Sequence, residues 1–546
     1  MDSLQLQLVN ALYRSAQRLR SANLPELAAQ LEHLAEEVRQ PCVVAIVGPV
    51  KAGKSTFVNA LLGDDLAKVG ATETTATINY FRYGIPDRDF PVSCYWRSGK
   101  VTSESRQFLD SLQGNDIETM RKADGIDHLE YRLQNPYLEQ ITLVDTPGTG
   151  SVEDTHQNRT AEFLNLYHQL RNRHSRETQH LGSEADAVIY LIGEITRVGD
   201  EAFLQEFQQA TQGQSRSLNA IGVMARIDLN PEIIKRREEL TRKISGQLAR
   251  ELNTVMPVSA GIQRALDHLL ADDQTSLQHI ITAFRRIPAT VLDELLSDAD
   301  LYLEADCPIS YAERKQLRSE MPWKVFTTIV RQAADPSLDV PTVVRVLREI
   351  AGFERIHRIL DRHFVRRGSF LRCYRIVHDA LAIKEKLKFQ YLSVDLERAI
   401  RRARFLGFIR QLQSKSPVAQ ELEAFIGEQL VARPELLKEI VEEIEREIGG
   451  IRNQLEAYNQ DFEALTLIED HAHLFTQDEL KELRPLFGLY GLETEKRLPK
   501  ARVARSYLER RQGYWQEREY TTQSSVLRKI AQQAVLRYDL LYKEIG

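Results

Sequence analysis

The sequence predicts an α/β domain built on a mainly parallel sheet, followed by an extended α-helical bundle or stalk. Three observations carry that prediction. Between residue 43 and about residue 285, short apolar runs alternate with amphipathic segments, the order expected of strands and helices layered on one sheet. From about 286 onward strand signals fade and long, charged amphipathic segments take over. The first 40 residues place leucines at helical spacing ahead of the sheet.

Taken in order, residues 1–40 carry Leu4, Leu8 and Leu12, then Leu24, Leu27, Leu31 and Leu34, interrupted near Pro25 and ended by Pro41. This predicts two helices. The sheet domain, 41–285, offers VVAIV at 43, TINYFRY at 77, ITLVD at 141, AVIYLI at 187, AIGVM at 220 and VMPVS at 255 as strands. In the helical remainder, 286–546, the segment LLKEIVEEIEREIGGIRNQLEAYNQDFEALTLIED (436–470) exceeds the length of an ordinary globular helix. The last segment presents Val526, Ile530, Val535, Leu536, Leu540 and Leu541 on an apolar face, as do residues 1–40, and neither has a partner nearby in sequence. The simplest expectation is that the two bury each other.

Bulk properties narrow the function. A chain of 546 residues calls for two or more domains, and a net charge of −6 argues against nucleic acid or a strongly anionic surface as a partner of the whole chain. Cys42, Cys94, Cys307 and Cys373 lie far apart without a CxxC pair, which reads as a reducing compartment without a zinc site. Nowhere are there the roughly 20 consecutive apolar residues a membrane span requires. A cytoplasmic location is expected.

The chemistry is carried by motifs at strand ends. Gly48 to Ser55 reads G-x-x-x-x-G-K-S between an apolar run and a helix-like run. Backbone N–H groups of such a loop converge on phosphate, and the positive end of the following helix adds to the attraction. Lys54 would reach the β and γ phosphates and the Ser55 hydroxyl would hold Mg²⁺. Downstream, LVDTPGTGS ends a strand at Asp145, a carboxylate placed to hold the Mg²⁺ shell through water, and Gly148 can offer its N–H to the γ phosphate. In GATETTATINYFRYG, Thr74 and Thr75 are the alternatives for a switch threonine completing that shell. IGVMARIDLN places Asp228 where a carboxylate would accept from guanine N1–H and the exocyclic amine, with the Arg226 stem over the ring. Ala225 cannot make the hydrogen bond of an Asn or Thr at its place. MPVSAG puts Ser259 at a last strand end, near the base carbonyl.

With G-P-V-K-A-G-K-S-T, T-T-A-T-I-N-Y-F-R-Y-G, V-D-T-P-G-T-G-S, E-A-D-A-V-I-Y-L-I and G-V-M-A-R-I-D, the chain resembles the bacterial dynamin-like proteins, large membrane-remodelling GTPases. The motif match spans roughly 40–265, and over the helical half the likeness is architectural. The resemblance implies an α/β P-loop GTPase domain at 41–285, residues 1–40 as helices of a neck bundle, and 286–546 as neck and trunk with the last helix returning to the neck. It implies Mg²⁺-dependent GTP hydrolysis with GTP/GDP and Mg²⁺ as ligands, bound by Gly48, Lys51, Ala52, Gly53, Lys54, Ser55 and Thr56 of the loop together with Asp145, Gly148, Arg226, Asp228 and Ser259. Nucleotide-dependent dimers or polymers of the chain, a membrane surface and a second dynamin-like protein are the partners it implies, with no nucleic acid and a peripheral membrane location. Eukaryotic dynamins carry Gln-Ser where this chain has Val50 and Lys51, so Lys51 would supply the positive charge beside the phosphates.

For lipid contact, RAIRRARFLGFIRQL (398–412) combines Arg401 and Arg402 with Phe405, Leu406 and Phe408, the composition of an interfacial helix or loop tip. Burial inside the helical bundle is the competing reading. The competing function is a soluble regulatory GTPase switch acting on protein partners without lipid.

Overall fold

The computed structural model describes residues 2–49, 52–63, 77–112, 117–146, 185–193, 220–248, 252, 254–271, 275–306, 309–365, 367–398, 400–401, 404, 417–489, 494–498 and 505–545. The chain divides into two compact units, one formed by Met1–Gln40 with Arg372–Gly546, the other by Pro41–Leu371.

The Pro41–Leu371 unit is organised by a nine-stranded sheet. Its strands are β1 (Cys42–Val47), β2 (Ile78–Tyr83), β3 (Val92–Trp96), β4 (Val101–Glu104), β5 (Ile126–Leu133), β6 (Ile141–Asp145), β7 (Ala187–Ile192), β8 (Ala220–Met224) and β9 (Val255–Pro257), in the spatial order β4-β3-β5-β2-β6-β1-β7-β8-β9. The run β6-β1-β7-β8-β9 is parallel throughout. Apolar and almost wholly buried residues fill β1, β6, β7 and β8, as expected of strands covered on both faces. On the other side β2 runs antiparallel to β6, so the sheet is mixed. All six runs picked out as strands are strands. The three that periodicity did not single out, β3, β4 and β5, lie toward one side of the sheet and carry polar residues among the apolar ones, so the apolar signal is diluted.

This unit continues past the expected boundary at 285. Helices Ala289–Leu295, Ala299–Glu304, Tyr311–Glu320, Trp323–Ala333 and Val340–Ala351 belong to it. Phe284, Tyr302, Trp323 and Phe326 form one aromatic cluster across these elements, with centroid separations from 5.2 to 6.4 Å. Helical periodicity showed the helices; it carried no sign of which body they cover.

The other unit is helical. Helices Asp2–Ser21 and Pro25–Glu37 pack on each other, and the first also packs on the 54-residue helix Pro417–Asp470. Arg14 pairs there with Glu447 at 2.9 Å and Arg18 with Glu439 at 2.8 Å, beside the buried Leu437, Ile440, Ile444 and Ile448. A second core joins Ala464 and Ile468 to Leu483, Phe487, Trp515, Ile530 and Tyr538. Within it Asp461 is buried between Arg497, at 2.8 Å, and Arg537, at 2.6 Å.

The last helix, Ser525–Ile545, therefore does not return to the first 40 residues as expected. Its buried Leu527, Ile530, Ala531, Ala534, Tyr538 and Leu541 lie in the second core, while Leu536 and Leu540 are exposed. It pairs with its sequence neighbour Arg505–Thr521, and the long helix takes up the face of residues 2–21 that it was expected to cover. The apolar stretch at 483–493 is likewise core where described, through Leu483, Leu486 and Phe487.

Candidate nucleotide site

The motif residues gather at the carboxyl ends of β1, β6, β8 and β9, where open parallel sheets place their ligands. After β1 the backbone turns at Gly48, where a Cβ would lie 2.7 Å from the Leu191 carbonyl oxygen of β7. No side chain fits in that gap. Gly53, with φ of +90°, precedes helix Lys54–Leu62 in the left-handed region, which glycine enters without steric cost.

Lys54 is buried. Its Nζ donates to the carbonyl oxygens of Gly48 and Pro49, both at 3.1 Å. Burial lowers its pKa, with Asp145 opposing the shift. The ammonium is thus parked on loop carbonyls, next to where loop N–H groups can hold phosphate. Ala52 and Gly53 are half-buried beside it, as are Ser55 and Thr56 in the first helical turn.

Ser55 Oγ donates to Asp145 Oδ2 at 3.0 Å. Asp145 ends β6 opposite Ile46 of β1 and Asn79 of β2. Burial pushes its carboxyl up to about 6, against the favourable influence of Lys54, Ser55 and Asn79. Oδ1 is buried and makes no well-formed hydrogen bond among the described residues, with the Asn79 side chain near enough to favour the charged form. A hydroxyl and a carboxylate oxygen left without a partner are hard donors of the kind Mg²⁺ takes, and the pair fits that ion. Among the described residues no three His, Cys, Asp or Glu side chains cluster as a metal site.

Thr146, which motif reading passed over, anchors the strand ends together. Its Oγ1 donates to the Ile46 carbonyl at 2.9 Å and its N–H donates to the same oxygen at 3.3 Å. Asp186 acts similarly at the start of β7, accepting from Val43 N–H at 2.7 Å. The D-T pairing in the motif was the available signal for the first; none marked the second.

The base-reading corner is also assembled. Arg226 adopts φ of +60°, and its Cγ would lie 3.5 Å from a Cβ placed on Gly53, so its stem lies against the phosphate loop. Asp228 sits on the short 3-10 turn Ile227–Leu229, half-buried, with Oδ1 accepting from Ser259 Oγ at 2.5 Å. Ser259 Oγ accepts in turn from Ile262 N–H at 3.1 Å, capping helix Ala260–Leu270. That arrangement leaves Asp228 Oδ2 for a donor edge such as that of guanine.

Lys51, Thr74, Thr75 and Gly148 lie outside the described residues, as do Arg402, Phe405, Leu406 and Phe408. Arg401 is exposed and pairs with Glu397 at 3.4 Å. No helix among the described residues is long and apolar enough to cross a membrane.

Residues 44–225 match the model of the Dynamin family. The chain is 29% identical over 306 residues to the isoniazid-induced protein IniC of Mycobacterium tuberculosis, a stretch covering 54% of this chain and 57% of that relative. It is 25% identical over 143 residues to dynamin-like protein 2 of Campylobacter jejuni, covering 26% and 22% of the two chains. A solved structure described as an oligomerised bacterial dynamin pair aligns with 98% of this chain and 90% of its own, at 15% identity and a TM-score of 0.32.

Proposed function

With residues 44–225 matching as a dynamin-family GTPase domain, we propose that this chain binds and hydrolyses GTP with Mg²⁺, and that the nucleotide cycle governs self-association and membrane binding. The observation that carries the catalytic half is the buried Asp145 carboxylate, bonded by Ser55 on one oxygen and left without a donor on the other, beside the parked Lys54. Ser55 and Asp145 would hold Mg²⁺, which when bound would neutralise phosphate charge, and Lys54 would exchange the carbonyls of Gly48 and Pro49 for phosphate oxygens. Lys51, Gly148 and one of Thr74 and Thr75 are assigned to the γ phosphate side. Asp228 reads the donor edge of guanine, Ser259 holds Asp228, and Arg226 covers the ring.

For the membrane half, the support is a helical surface leading to residue 401. Phe389, Leu396 and Ile400 are 63%, 46% and 53% exposed, and Lys388, Arg398 and Arg401 stand exposed among them. Exposed apolar side chains with interspersed cations suit an anionic lipid interface. The test pairs turnover with vesicle sedimentation. GTP hydrolysis that requires Mg²⁺ and is not matched with ATP, together with nucleotide-sensitive sedimentation on phosphatidylserine vesicles, is expected. Turnover without sedimentation would favour the soluble switch, and absence of turnover would remove the enzyme reading.

A further inference from the structure

We propose that the guanine-reading corner is held from behind by helices Trp323–Ala333 and Val340–Ala351, with Val325 and Gly352 as positioning residues for Asp228 and Ser259. The proposal rests on the GTP-binding reading above and extends the site from Asp228 and Ser259 to Val325 and Gly352, about a hundred positions or more after the family match ends.

The restraints come from three sides. Ser259 is fully buried, and each of its polar groups is committed. Its Oγ accepts from Ile262 and donates to Asp228, its carbonyl accepts from Gln263 N–H at 3.1 Å, and its backbone N–H donates to the Ala351 carbonyl at 3.1 Å. The end of helix Val340–Ala351 thus fixes where Ser259 stands. Gly352 follows with φ of +78°, and a Cβ there would be 2.5 Å from the Pro257 carbonyl oxygen and 3.5 Å from Val258 Cγ1. The end of β9 rests directly on this turn, at a distance no side chain permits. On the third side, a Cβ on Gly261 would lie 2.7 Å from Val325 Cγ2 and 3.6 Å from Asp228 Oδ2. Gly261 is sandwiched between the wall and the base reader. Val325 is 1% exposed, and the turn that carries Asp228 packs on the same helix through its buried Ile227.

The chemistry of the base turns this packing into a specificity claim. Asp228 favours guanine over hypoxanthine only if one oxygen reaches the exocyclic amine, and a displacement of a few tenths of an ångström to an ångström breaks that hydrogen bond. Val325 and Gly352 act through Asp228 and Ser259; they touch neither base nor phosphate in this scheme. Their loss should erase discrimination between bases while sparing phosphate binding.

The experiment compares binding of fluorescent GDP and IDP derivatives to the full chain, with circular dichroism and thermal melts for each variant. In Gly261→Ala the added methyl group clashes with Val325 Cγ2 and drives the 261 backbone off the wall toward Asp228, and in Val325→Ala the wall recedes. Each single variant is expected to lower the preference for GDP over IDP by about threefold or more, and Gly261→Ala/Val325→Ala, in which the added methyl group takes up part of the space left by the two methyl groups of Val325, to return it to within about twofold of the wild type. A preference unchanged in the folded single variants, or not restored in the double variant, overturns the proposal. If Gly261→Ala does not fold, Val325→Ala alone decides by the same criterion. A wild-type chain that binds neither nucleotide would instead remove the GTP reading on which the proposal stands.

Discussion

In the proposed phosphate site, Lys54 and Asp145 are both buried ahead of any ligand. A buried ammonium on two carbonyls and a buried carboxylate with one free oxygen are both more costly alone than with nucleotide and cation. Removing the ammonium should cost nucleotide affinity on the order of 100-fold or more, since a charge-directed donor in a dry site contributes several kcal/mol. Lys54→Ala is expected to show this by isothermal titration with GDP, with a small fall in melting temperature because the Gly48 and Pro49 carbonyls lose their donor. Asp145 gives a pH signature. Its folded carboxyl titrates near 6, above its ordinary value of 3.8, so the folded protein holds a proton that the unfolded chain has released between those values. Stability contributed at this residue falls as pH rises from about 4 to about 6, and above that range the buried charge is carried in full. Asp145→Asn should therefore stabilise the ligand-free protein at pH 8 by roughly 2 to 3 kcal/mol, at 1.36 kcal/mol per pKa unit, and by nothing at pH 4. Denaturation with urea at the two pH values measures it; a gain equal at both would show that the charge is not the cause. That Gly48, Lys54, Ser55, Asp145, Asp228 and Ser259 gather at strand ends was legible from motif spacing along the chain. The places of Asp186, Val325 and Gly352 beside them were not, because they arise from packing between segments distant in sequence.

At the level of elements, the six strands that line or flank the site could be read from short runs rich in apolar and β-branched or aromatic residues, and β3, β4 and β5 could not. The helices were readable as helices, and their partners were not. A helical face states that it is buried without stating against what, so the last helix was matched to the wrong surface. The observed packing changes what its removal does. Deleting residues 524–546 strips Leu527, Ile530, Ala534, Tyr538 and Leu541 from the second core, and each buried apolar side chain of this size contributes about 1.5 to 3 kcal/mol. Amide hydrogen exchange is expected to accelerate around 464–487 and 505–515, while residues 2–37 keep their protection through the long helix and the Arg14–Glu447 and Arg18–Glu439 pairs. Loss of protection in residues 2–37 would mean that the two cores unfold as one.

For the molecule as a whole, the sheet-bearing unit is inserted into the helical one: residues 41–371 separate 1–40 from 372–546. Every covalent connection between nucleotide site and helical unit therefore runs through two points of the chain, at 40/41 and 371/372. If nucleotide state governs self-association, the effect must pass through these or through surfaces on the sheet-bearing unit. Sedimentation velocity with GDP, with a non-hydrolysable GTP analogue and without nucleotide should show a heavier species in the analogue alone, and that species should be absent in Lys54→Ala.

The inserted arrangement has a further consequence in the order of synthesis. Helix Asp2–Ser21 leaves the ribosome before the sheet-bearing unit does, but the Glu447 that its Arg14 meets is 433 residues further on. At roughly 5 to 20 residues per second, that interval is about 20 to 90 seconds. Through it the helix can shelter one side on Pro25–Glu37, while the side destined for the long helix stays open to solvent. The sheet-bearing unit, whose pieces are contiguous, can close in the meantime. The nascent chain thus carries a finished sheet-bearing body and an unfinished helical one, and the first helix is a stretch on which a nascent-chain chaperone would find a long-lived apolar target.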